Sequence, residues 1–120
     1  MRFLVVDNDP TIRRFIGQLL SRAGDDVEEV ADGESGLQAY RQDTADVVFV
    51  DYGMPQMDGL EFIRTLLLEY PEARIVMMAG RRTHGAPDPL ALARKMGARE
   101  TLRKPFDAAE AFRVIDEILD

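Results

Sequence analysis

The chain has 120 residues, a formal net charge of −7, no cysteine and one histidine. The length fits a single domain over 1–120 with one core between a sheet and its helices, while the charge argues against a nucleic-acid partner, which needs a basic face. Without cysteine there is no disulfide frame, thiolate metal site or cysteine nucleophile, and neither a membrane span nor a signal peptide is visible, so a cytoplasmic domain is expected.

Phe3-Leu4-Val5-Val6 is an apolar strand candidate that ends in acid, Asp7-Asn8-Asp9. Asp9 can cap a helix with Pro10 in its first turn. That helix carries Ile12, Phe15, Ile16, Leu19 and Leu20 at helical spacing, and Gly24 can end it. Val27–Ala31 is a polar strand candidate, more suited to an edge than to a centre. Asp32 and Gly33 then turn into a helix carrying Leu37, Ala39 and Tyr40. Asp46–Val50 is apolar on both faces and therefore reads as a central strand. It runs into Asp51 and the turn Tyr52-Gly53-Met54-Pro55-Gln56-Met57-Asp58-Gly59.

Asp58 with Glu61 reads as a capping box for a third helix, with Leu60, Ile63, Leu66 and Leu67 inward and Pro71 as its stop. Arg74–Met78 is a fourth strand, and Ala79–Asp88 a loop rich in Arg, Gly and Pro. A helix follows from Pro89 to Met96. Thr101-Leu102-Arg103 is a last short strand, followed by Lys104-Pro105-Phe106. Asp107 and Glu110 open a final helix with Ala111, Phe112, Ile115, Ile118 and Leu119 inward. The alternation predicts βα units on a parallel sheet. Asp7, Asp51 and Lys104 then converge at the carboxyl ends of the strands, where open α/β sheets bind ligands. Two acids and a cation in one polar cup suit a divalent metal and a phosphoryl group.

These pieces, in this order, resemble the receiver domain of two-component response regulators. The Asp51-x-x-Met54-Pro55-x-Met57-Asp58-Gly59 run and Lys104-Pro105-Phe106 carry the resemblance, which covers essentially the whole chain. It implies a flavodoxin-like (βα)5 fold, a doubly wound parallel sheet of strand order 2-1-3-4-5. It implies that Asp51 accepts a phosphoryl group from a histidine kinase or phosphotransfer protein and relays the signal to an output partner or fused domain. It also implies Mg2+ held by Asp7, Asn8, Asp51 and the Gly53 carbonyl, with Lys104 on the phosphoryl oxygens after a cis Lys104-Pro105 bond. The chemistry agrees: an acyl phosphate needs an ionised carboxylate nucleophile, and nearby cations offset its repulsion from an anionic donor. A receiver assists its own phosphorylation without being a classical enzyme.

Three positions depart from the family pattern. Asn8 replaces an acid that ligates the metal, Ala79 replaces the switch hydroxyl, and Thr101 replaces the switch aromatic ring. The alternative they leave open is a degenerate receiver that docks proteins independently of phosphorylation. An aspartyl phosphohydrolase is a poorer match, because that chemistry wants a second acid where Gly53 stands. Arg81 reads equally as solvated charge or, where the resemblance places it beside the mouth of the site, as a contact for a phosphoryl group or a partner. His84, the single histidine, lies in a Gly/Pro loop and reads as solvated, so no histidine metal cluster or Ser-His-Asp triad can form.

Overall fold

The computed structural model describes residues 1–21, 24–80 and 85–119. Five strands alternate with five helices: β1 (Arg2–Val6), α1 (Pro10–Ser21), β2 (Asp26–Val30), α2 (Gly33–Gln42), β3 (Val47–Asp51), α3 (Gly59–Glu69), β4 (Ile75–Ala79), α4 (Pro89–Met96), β5 (Glu100–Arg103) and α5 (Ala108–Leu119). The strands form one parallel sheet in the order β2-β1-β3-β4-β5. This is the expected (βα)5 doubly wound arrangement. Strand limits differ from the sequence reading by about one residue, and Ala79 belongs to β4 rather than to the following loop.

Apolar side chains on both faces explain why β3 and β4 lie inside the sheet. Every residue of β3 and β4 is buried. β2 mixes exposed and half-buried positions and takes the edge. One face of the sheet packs Phe3, Val5, Phe49, Val76, Met78 and Leu102 against Ile16 and Leu20 of α1 and Val114, Ile115 and Ile118 of α5. The other packs Leu4, Val6, Val48, Val50, Ile75 and Met77 against α2, α3 and α4. An aspartate precedes each helix, and its carboxylate accepts a backbone N–H from the first turn. The pairs are Asp9 with Thr11, Asp32 with Ser35, Asp58 with Glu61, Asp88 with Leu90 and Asp107 with Glu110. Each cap satisfies an amide that the helix leaves unpaired, a contribution of about 1 kcal/mol.

Three inward faces need correction. In α5, Val114 is fully buried, whereas Phe112 and Leu119 are exposed. The helix turns a narrower apolar stripe to the sheet than the sequence pattern suggests. In α3, Phe62 is completely buried while Leu60 and Leu67 are only partly covered. In α1, Phe15 is exposed, and its ring meets the edge of Phe106 at 6.2 Å.

Candidate functional site

Three strand ends place the polar groups of the site. Asp7 follows β1 directly and is fully buried, a position that demands partners for its charge. It has them: Oδ1 accepts the Asp9 N–H at 2.9 Å, and Oδ2 accepts from Lys104 Nζ at 2.7 Å. Its backbone is pinned as well, with its N–H on the Val30 carbonyl and its carbonyl accepting from Arg13 Nη1 at 2.7 Å. Asp51 closes β3. Its Oδ1 lies 2.8 Å from Lys104 Nζ, and its Oδ2 accepts the Gly53 N–H at 3.0 Å. Lys104 follows β5 and bridges the two carboxylates. The Lys104-Pro105 peptide is cis, as the resemblance implies.

The loop after Asp51 is shaped by its backbone. Gln56 has φ 68°, in the left-handed region that side chains seldom adopt. The Met57 N–H bonds the Pro55 carbonyl across it at 2.8 Å, closing a three-residue turn. Gly59 then opens α3 directly beneath Asp51. A Cβ there would fall 2.7 Å from the Asp51 carbonyl oxygen, so only glycine lets the helix start this close to the strand.

The electrostatics follow from this enclosure. Burial raises the Asp7 pKa above the ordinary carboxylate value; the bonds from Lys104 and the Asp9 N–H oppose that rise, and the charge of Asp51 adds to it. For Lys104, burial pulls the pKa down, but the hydrogen bonds and charges of Asp51 and Asp7 outweigh it and leave it raised. The lysine therefore keeps its proton across neutral pH.

Two carboxylates converging on one cation form an oxygen-only donor set. Mg2+ takes such ligands and keeps several waters, so the set fits it. Among the described residues no three or more His, Cys, Asp and Glu groups come together as a metal site. Asn8 is exposed, and its neutral amide adds no carboxylate to those of Asp7 and Asp51.

Residues 3–116 match the family described as the response regulator receiver domain. The chain belongs to that family. The receiver is 30% identical over 120 residues to the chemotaxis protein CheY of Listeria monocytogenes serovar 1/2a, covering 98% of this chain and 97% of that protein. It is 31% identical over 115 residues to the DNA-binding transcriptional regulator NtrC of Klebsiella pneumoniae, covering 96% of this chain but 24% of that protein. A response regulator receiver domain protein from Clostridium thermocellum superposes with a TM-score of 0.88 at 31% identity, covering 98% of this chain and 93% of that one. Receivers of two-component systems are signalling proteins rather than classical enzymes. As a family they bind Mg2+ for phosphorylation and interact with histidine kinases and output domains. Among the described residues of this receiver, no helix is long and apolar enough to cross a membrane.

Of the positions singled out in the sequence, Asp7, Asp51 and Lys104 meet in one cluster. Gly53 touches it through its N–H. Ala79 touches that cluster through its backbone, and the Thr101 hydroxyl bonds α4 instead. Ala79 is buried, and its carbonyl accepts the Lys104 N–H at 2.7 Å. Thr101 is half-buried and accepts from Arg94 Nη2 of α4 at 3.2 Å; the same guanidinium lies 3.5 Å from Glu100. Arg81 and His84 lie outside the described residues. Two arginines escaped the sequence reading. Arg13 holds the Asp7 carbonyl, and Arg103 binds Asp88 and Gly80 at the entrance to α4. The available signal for Arg103 was a cation closing a short strand, directly before the site lysine.

Proposed function

We propose that Asp51 is the phosphoacceptor of this receiver, taking a phosphoryl group from the phosphohistidine of a kinase or phosphotransfer protein. The bridging lysine carries this reading. A single Nζ within 2.8 Å of both carboxylates leaves Asp51 partly neutralised and held at the mouth of the cup. A carboxylate oxygen of Asp51 attacks phosphorus, the donor P–N bond breaks, and its electron pair leaves on the imidazole nitrogen. Lys104 exchanges the Asp51 oxygen for phosphoryl oxygens, so the cation stays where negative charge accumulates. Asp7, held by Arg13 and the Asp9 N–H, keeps the far side of that lysine anchored throughout.

Asp7, Asn8, Asp51 and the Gly53 carbonyl would hold Mg2+, which when bound supplies charge neutralisation between nucleophile and donor. Residues 1–120 act as one receiver unit in the cytoplasm, assisting their own phosphorylation and dephosphorylation. The signal passes to a downstream partner or a fused output domain.

Mass spectrometry after incubation with acetyl phosphate and Mg2+ tests the reading. The wild type gains an adduct of ~80 Da, and Asp51→Asn does not. A wild type that gains none from a competent donor supports the phosphorylation-independent docking module instead.

A further inference from the structure

Arg103 connects two groups that the site itself does not use. Its Nη2 donates to both Asp88 carboxylate oxygens at 2.9 Å, and its Nη1 donates to the Gly80 carbonyl at 3.0 Å. Gly80 is the exit of β4 and Asp88 the cap of α4. One planar guanidinium therefore holds both ends of the β4–α4 connection, Nη2 on one and Nη1 on the other, a span that the single ammonium of lysine could not reproduce. The Asp88 oxygen that accepts from Arg103 also accepts the Leu90 N–H, so the start of α4 hangs on the same carboxylate.

The position of Arg103 in the chain matters as much as its contacts. Its neighbour Lys104 reaches into the acidic cup, and the peptide joining the two residues is fastened to the Ala79 carbonyl at 2.7 Å. The same face of the sheet offers no hydroxyl at Ala79 and no aromatic ring at Thr101, whose side chain is engaged by Arg94. A bound group shifts a conformational equilibrium only through contacts that differ between the two states. Lys104 is such a contact, and Arg103 is one peptide away from it.

We propose that Arg103 is a positioning residue through which occupancy of the phosphoryl site reaches α4. This rests on the phosphoacceptor reading of Asp51. When Lys104 leaves the Asp51 oxygen for a phosphoryl group, the shared peptide shifts. The guanidinium then changes its hold on Asp88, and the cap of α4 is reset. The Arg103–Asp88 pair does the work of a hydroxyl-and-ring relay in a domain with no hydroxyl at position 79 and no ring at position 101.

Backbone amide shifts recorded with and without beryllofluoride and Mg2+, a mimic of the phosphoryl group, test this proposal. In the wild type, amides of Asp51–Gly53 and of Leu90–Met96 move. In Arg103→Met, and in Asp88→Asn, the Asp51–Gly53 shifts persist while those of α4 fall to roughly half or less. Asp88→Asn matters because asparagine caps a helix as well as aspartate does, so this variant removes the charge and keeps the cap. The double variant is no worse than either single one, as expected of two residues acting as one pair. The proposal is overturned if both variants bind the mimic and move α4 as the wild type does. Wild-type protein whose Asp51–Gly53 amides ignore the mimic would remove the phosphoacceptor reading, and the relay with it.

Discussion

The rim of the sheet where the site lies has two halves built on different physics. Around β1 and β3, the polar groups are buried and held by short bonds to backbone: Asp7 accepts from the Asp9 N–H and Asp51 from the Gly53 N–H. Around β4 and β5, partly exposed arginines do the holding, with Arg103 on Asp88 and Arg94 on Thr101 and Glu100. Buried charges fix geometry because a loss of partners there is costly, whereas exposed ion pairs can exchange partners at little cost. The first half suits a reaction that needs fixed atoms. The second suits a relay that must adopt two arrangements.

The largest expected effect falls on the residue that joins the halves. Lys104→Ala should slow phosphoryl uptake from acetyl phosphate by about 100-fold, the scale for removing a charge-stabilising group from a reacting site. The fold should survive, since Asp7 can take up a proton, and a circular-dichroism melt would show this. Lys104→Arg should also be impaired, because the compact ammonium fits between two oxygens where a planar guanidinium does not. Uptake at wild-type rate in both variants would dissolve the distinction between the halves.

Next in size is the metal. Asn8→Asp adds a carboxylate to the donor set and should tighten Mg2+ about tenfold in a fluorescence or calorimetric titration. Without Mg2+ the same variant should be less stable by about 1 kcal/mol, as a third acid joins the cup. Unchanged affinity would show that position 8 lies outside the coordination sphere.

Asp7→Asn should act in the opposite sense, raising metal-free stability by about 1 kcal/mol at neutral pH while weakening Mg2+. The sign follows from the raised pKa of Asp7. Between the unfolded and folded pKa values the folded state holds more protons, so stability from this group falls as pH rises through that window and stays low above it. Denaturant titrations across acid pH should show that decline in the wild type and a flatter profile in Asp7→Asn. A steeper wild-type gain with pH would mean that Lys104 overcompensates for burial.

The smallest effect should come from the far half. Thr101→Val removes one acceptor from the exposed Arg94 and should change stability by less than ~0.5 kcal/mol, with phosphoryl uptake unaltered. A change in uptake would show that the two halves are coupled without passing through Lys104.

The readable parts of this molecule are those written in local pattern. The burial of β3 follows from an unbroken apolar run, and the helix starts follow from aspartates placed one residue ahead of each helix. Convergence of Asp7, Asp51 and Lys104 needed only the alternation of elements and the rule for parallel sheets. The inward face of α5 was misjudged because Phe112 and Val114 offer two overlapping apolar stripes, and only the neighbouring sheet selects between them. The Arg103–Asp88 pair was illegible for a related reason. Its members are 15 positions apart across a helix, a spacing that no periodicity encodes.

The contact between Lys104 and Asp7 spans 97 positions of the chain. It forms only when the first strand and the last are both docked on the same sheet, so it is among the latest contacts the receiver can make as it folds. A nascent chain that lacks β5 carries Asp7 and Asp51 but has no ammonium to hold them together. Closure of the cup thus becomes a property of the folded receiver, reached only when its first and last strands share one sheet.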